Sequence, residues 1–191
     1  MDEVKEILAP SKGMWMGLHE GHHYLEYEDG TTSDTDLAHF LEAPFLGTAA
    51  ATRLRFKNKE ARQSVDCLIW SGHGEGAGQD PFARLLKVAP GFPQMDIFIQ
   101  GHNTQLGSKK LDTIEFYGGT GNLRMRQRTV LFVAAGGFMK GYAQGSMIAG
   151  RAQGSYVEKG MMRPTSVGGV VIEVIPRHKE DYNDLDMFCS V

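Results

Sequence analysis

Two stretches of this chain end in the same way. Val65-Asp66-Cys67-Leu68-Ile69-Trp70 runs into Ser71-Gly72-His73-Gly74, and Met95-Asp96-Ile97-Phe98-Ile99 runs into Gln100-Gly101-His102. Each reads as a mostly apolar strand that stops at a glycine-flanked histidine. Between them, Asp80 to Val88 predicts a helix with Pro81 in its first turn. Strand, helix, strand is the order of an α/β layer, in which ligands gather at the ends of strands. A glycine ahead of a histidine lets the backbone turn sharply and points the side chain out from the strand end.

The rest of the chain fits around this unit. Asp2 to Ala9 predicts a short amphipathic helix ending near Pro10, and Met14 to Leu18 a brief strand that feeds Gly21. Ser33 and Asp34 are candidate caps for a helix through Leu41, closed by Pro44. Ala50 to Phe56 alternates, with Arg53 and Arg55 on one face and Leu54 and Phe56 on the other. Leu111 to Tyr117, Arg126 to Val133 and Gly169 to Ile175 read as strands between glycine-rich turns, which suggests a second, more antiparallel layer. Phe138 to Tyr156, rich in Gly, Ala and Gln, reads as loop with a short helix at most. Arg177 to Val191 reads as a loosely attached tail. Residues 1–176 are thus expected to form one domain and 177–191 a C-terminal tail.

Composition excludes several function classes. The chain has 191 residues, enough for an ordinary core, with 41% hydrophobic and 23% charged residues. No apolar run is long enough for a membrane span. The start, Met1-Asp2-Glu3-Val4-Lys5-Glu6, is acidic and unlike a signal peptide, so a soluble cytoplasmic protein is expected. The net charge of -3 argues against bulk nucleic-acid binding, although a phosphodiester could still be cleaved in a local pocket. The two cysteines, Cys67 and Cys189, form no disulfide framework or zinc knuckle. They read as a buried thiol and a tail thiol.

Of seven histidines, those following a glycine corner stand apart: His22 or His23 after Gly21, His73 between two glycines, and His102 after Gly101. Imidazole is the commonest zinc ligand and also suits iron, nickel and copper. Three such corners at one sheet edge would converge on one small volume. His39 reads as a helix-face residue, and His19 and His178 as solvated ones. Arg124, Arg126 and Arg128, with Lys109 and Lys110, read either as an anion-facing groove or as the solvated face of a strand.

The order Gly21-His22-His23-Tyr24, then His73-Gly74, then Gly101-His102-Asn103-Thr104 resembles the second half of the calcineurin-like metallophosphoesterases. That family carries a Gly-Asn-His-Asp/Glu motif, a His-Gly corner and a Gly-His-x-His motif in this order. Leu18-His19-Glu20 before the first motif fits as well, as does Ser155-Tyr156-Val157-Glu158-Lys159 followed by Pro164 and Gly168, which resembles the closing region of phage and bacterial members. The resemblance spans roughly residues 1–176. It implies an α/β fold, a truncated metallophosphoesterase-like β-sandwich of two mixed sheets flanked by helices. It also implies metal-dependent hydrolysis of phosphomonoesters or phosphodiesters, in which two cations hold a hydroxide and the phosphoryl oxygens.

Departures from the family pattern narrow what is implied. No Asp-x-His or Gly-Asp occurs in the sequence, and Thr104 stands at the second histidine of Gly-His-x-His. Every family ligand of the first metal and the bridging carboxylate is therefore without a counterpart. For the second metal, His73 and His102 match ligand positions, and His22 replaces the asparagine. His22 reads equally as a retained ligand or as drift away from asparagine with no metal kept. A three-histidine set with open positions suits one divalent ion, zinc, manganese or iron. His23 aligns with the family's catalytic histidine, but Tyr24 replaces the acidic residue beside it.

Two functions follow as expectations. One is a phosphoesterase that works impaired, as a homo-oligomer or with a complementing N-terminal half chain. The other is a non-catalytic binding or assembly module on a degenerate scaffold. A split gene, a fragment and a divergent, repacked protein are equally open as its origin, and no membrane role is expected.

Overall fold

A computed structural model describes residues 2–58, 64–74, 80–103, 105–138, 140–142, 145, 147–148, 151–152, 155–178 and 182–190. Its α/β fold divides into two compact units, one of residues 1–50 with 71–73, the other of 51–70 with 74–191.

The first unit holds helices α1 (Asp2–Leu8) and α2 (Ser33–Phe40). Thr32, rather than Ser33 or Asp34, is the N-cap of α2. Its hydroxyl accepts from the Thr35 N–H at 3.2 Å, while the Thr35 hydroxyl accepts from the Thr32 N–H at 2.8 Å. This reciprocal box satisfies two backbone donors that a helix start leaves orphaned. α2 buries Ala38, and Leu41 just beyond it is fully buried. The expected strand over Met14 to Leu18 reduces to one parallel bridge, Leu18 to Phe45. Met14 is 78% exposed, so this apolar run finds no sheet to bury it.

The second unit is organised on a five-stranded mixed sheet. Its strands are β1 (Ala49–Lys57), β2 (Ser64–Gly72), β3 (Ile97–Gln100), β4 (Leu106–Tyr117) and β5 (Arg124–Ala135), in the spatial order β1-β2-β3-β5-β4. β3 pairs parallel with β5, in register Ile97 with Leu131, and β4 pairs antiparallel with β5 from Leu106–Ala135 to Tyr117–Arg124. The antiparallel hairpin thus extends the first sheet instead of forming a second layer.

Strand alternation divides the core into two sides. Cys67 and Ile69 of β2, Ile97 of β3 and Leu131 and Val133 of β5 gather in one cluster. Phe98 of β3 and Val130 and Phe132 of β5 gather in the other, with Leu68 and Trp70 of β2 against them. Because both faces are covered, β2, β3 and β5 read as nearly continuous apolar runs. Helix α3 (Ala83–Val88) buries Leu85 in the second cluster. It is shorter than expected, since Pro81 and Phe82 form a turn ahead of it.

Against the first cluster lies an antiparallel pair, β8 (Val171–His178) with β9 (Asn183–Ser190), preceded in the chain by the two-residue strands β6 (Met147–Ile148) and β7 (Arg151–Ala152) and the helix α4 (Tyr156–Lys159). Here the structure differs from the expected loose tail. Met187 is 3% exposed within the sheet's core, and Leu185 and Cys189 pack beside it. Leu185, Met187 and Cys189 lie at alternate positions, so one face of β9 is apolar although the segment is charged overall.

Candidate metal centre

The chain comes off α1 through a loop that is tied down by its own backbone. Leu18 N–H donates to Pro44 O at 2.9 Å, and Glu20 N–H donates to Gly47 O at 3.0 Å. Gly21 follows, and its N–H donates to Asp34 Oδ2 at 2.7 Å. A Cβ placed on Gly21 would stand 3.3 Å from His73 Cε1 and 3.6 Å from Asp34 Oδ2. A larger residue there would press on the His73 imidazole, which would have to give by a few tenths of an ångström.

His22 comes next and meets His73 directly. Nδ1 of His22 lies 3.1 Å from Nε2 of His73, and the rings stand nearly edge to face at 71°. The tautomers decide which nitrogen donates; bound to an ion, both would present lone pairs to it. His73 itself is held by its N–H, which donates to Thr48 O at 2.9 Å. Burial first, and then the neighbouring His22 charge, lower the pKa of His73, while Asp34 opposes them. The unprotonated ring, the form that binds metals, is therefore the one favoured at neutral pH.

His102 follows β3, and its backbone sits at φ +47°, a left-handed conformation rare for a residue with a side chain. His22, His73 and His102 each offer one ligand nitrogen, all within 4.8 Å of one another, so the three could hold a metal ion. The donor chemistry fits. Zinc–nitrogen bonds of about 2.0–2.1 Å at tetrahedral angles place neighbouring nitrogens roughly 3.3 Å apart, close to the separation of the His22 and His73 pair. His23 is exposed, with its ring centroid 4.0 Å from that of His22. Tyr24 is 43% exposed, and Thr104 lies outside the described residues.

Two residues that the sequence did not single out as part of a site take part in it. His19, expected to be solvated, has Nδ1 2.9 Å from Gly47 O and Nε2 2.8 Å from Ser71 Oγ. A carbonyl only accepts, so Nδ1 carries the proton and Nε2 accepts from the Ser71 hydroxyl. His19 thereby links the loop before His22 to the end of the strand before His73. Asp34, read as a helix cap, instead puts a carboxylate beside Gly21 and His73. Neither role has a local signal, because both partners lie far away in sequence.

Carboxylates behind ligating histidines raise their basicity and fix their orientation. Asp34→Asn keeps an acceptor for Gly21 but removes the charge. The change is expected to weaken zinc binding about 10- to 100-fold, read by competition with a chromogenic chelator. Unchanged affinity would leave Asp34 as a loop brace alone.

Other clusters are structural. Arg126 and Arg128 line a cavity of about 320 Å3, but Asp66, Asp96, Glu115 and Asp184 line it with them, so it is not a bare anion-facing groove. Arg126 pairs with Glu115 at 2.6 Å and lies over the Tyr182 ring at 4.6 Å. Arg128 pairs with Asp96 at 2.7 Å, with both side chains nearly buried. Cys67 is buried with its thiol pKa pushed up to about 12, mainly by that burial, and Cys189 is half-buried; both are free thiols. Among the described residues, no helix is long and apolar enough to cross a membrane.

No family model matches this chain, and no curated protein or solved structure matches it.

Proposed function

We propose that the chain is a metallophosphoesterase-like protein that binds one divalent ion, zinc, manganese or iron, through His22, His73 and His102. The observation that carries this reading is the convergence of three ligand nitrogens from three separate glycine corners. In this reading the five-stranded sheet and the β8–β9 pair are the remnant of a metallophosphoesterase sandwich.

When bound, the ion would supply a Lewis acid for a phosphoryl oxygen and lower the pKa of a coordinated water. The chain's own residues do the rest. His73, kept unprotonated by burial, offers a lone pair at neutral pH. Asp34 and His19 hold the two loops that bear His22 and His73. His23, exposed with its ring beside that of His22, is proposed to give a proton to a departing alkoxide, the work of a general acid. The family's other metal ligands have no counterparts here, so full activity is proposed to need them from a complementing chain.

Metal analysis of the purified chain tests the reading. About one equivalent of zinc or manganese is expected per chain, removable by chelator and lost in His73→Ala. Hydrolysis of bis(p-nitrophenyl) phosphate should follow metal content and fall in His23→Ala with metal retained. Absence of bound metal would overturn the proposal. Stoichiometric metal without hydrolysis would favour a binding module on the same scaffold.

A further inference from the structure

The mixed sheet ends in two unlike edges, β1 on one side and β4 on the other. A strand edge offers a row of backbone donors and acceptors to any second strand, and proteins blunt it with charge, proline or a bulge. β1 is blunted in this way. Arg53, Arg55 and Lys57 stand at alternate positions along it, with no acidic residue in the strand. Asp66 of β2 pairs with the two arginines, and two copies of β1 brought together would still set cation against cation.

β4 lacks these devices. Among the described residues it pairs with β5 alone, in unbroken register from Leu106 to Tyr117, and it contains no proline. Its charges cancel, Lys109 and Lys110 against Asp112 and Glu115. Ile114 and Phe116 are 62% and 60% exposed, and Met125, opposite Phe116 across the hairpin, is exposed too. A long, neutral edge with exposed apolar side chains is a site of association with another strand.

The charge order along β4 selects that strand. Facing side chains of an antiparallel pair lie on the same side of the sheet, so a two-fold axis relating two copies of one strand passes through a residue that faces itself. Two such registers pair β4 over nearly its whole length. Centred on Asp112, the strand sets two carboxylates against each other. Centred on Leu111, it sets Lys110 against Asp112 twice, once in each direction. The second register also brings Phe116 against Leu106 of the second copy on the same side, and Leu111 against itself on the other. Lys110 and Asp112 are both exposed. Within the chain, Lys110 Nζ lies 4.6 Å from the centre of the Phe188 ring, and Asp112 Oδ1 accepts from the Thr129 hydroxyl at 2.7 Å. Neither contact cancels the charge.

We propose that β4 pairs with β4 of a second copy, antiparallel and centred on Leu111, and joins two five-stranded sheets into one in a two-fold dimer. The charged β1 edges stop the assembly at two. Analytical ultracentrifugation of the full chain is expected to show a monomer–dimer equilibrium. Lys110→Asp and Asp112→Lys each turn two opposite-charge pairs into like-charge pairs, and each should weaken the dimer about tenfold or more. An equimolar mixture of the two variants should restore it, because every facing pair is then opposite again. Lys110→Asp combined with Asp112→Lys in one chain should restore it as well. Neither rescue returns the Phe188 or Thr129 contact, so damage within the chain would go unrepaired. A chain that stays monomeric, a dimer that the single variants leave intact, or one that the mixture fails to restore would each overturn the proposal. Metal plays no part in this contact, so a dimer dissociated by chelator would overturn it too.

Discussion

Asp96→Ala is expected to destabilise the fold by about 3–5 kcal/mol, because it removes one partner of a buried ion pair. Asp96 Oδ1 accepts from Arg128 at 2.7 and 3.2 Å, and Oδ2 accepts from the Leu68 N–H at 2.7 Å. The side chains of Asp96 and Arg128 are 13% and 12% exposed. The alanine variant therefore strands a guanidinium and a backbone donor together. Arg128 keeps its bonds to Pro93 O and Gln94 O, which hold the charge in place without neutralising it. Urea unfolding would measure the loss. Adding Arg128→Met should recover part of it, since a missing pair costs less than an unpaired charge. A loss under about 1 kcal/mol would show that the pair is solvated like an ordinary surface bridge.

Phe98→Ala is expected to cost a similar amount, about 3–5 kcal/mol, through lost burial and the cavity left behind. Phe98 is 1% exposed and stacks on Phe132 with centroids 5.2 Å apart and planes 6° from parallel. Trp70 stands 6.1 Å away and Leu85 of α3 packs in the same cluster, so removing the ring loosens strands and helix at once. Phe98→Leu fills part of the volume and should lose clearly less. Equal losses for alanine and leucine would point to the aromatic stack as the dominant contribution and not the burial. β3 leads directly to Gly101 and His102, so the alanine variant should also weaken metal uptake.

Local chemistry made much of the central sheet legible. The apolar runs of β2 and β3 end at glycines, and α3 lies between them. The pattern of Arg53 and Arg55 opposite Leu54 and Phe56 also survives: Arg55 bonds Asp66 at 2.8 Å, while Leu54 and Phe56 pack on the core. The β8 strand was legible from its apolar β-branched residues. β9 was not, because its charges mask an alternation that only matters once a sheet face is there to receive it. Met14 to Leu18 failed for the opposite reason, an apolar run that no strand pairs along its length.

The glycine corners first drew attention to His22, His73 and His102, and by itself the sequence determined that these residues end or follow apolar segments in a fixed order. It could not say that their nitrogens approach within 4.8 Å, because residues 51 and 29 positions apart meet only through the folded backbone. Nor could it find Asp34 and His19. Their partners Gly21, Gly47 and Ser71 are brought near by loop hydrogen bonds, and no periodicity encodes a contact between loops. Strand ends can be read locally, whereas the carboxylate and the imidazole that brace them are chosen by tertiary packing.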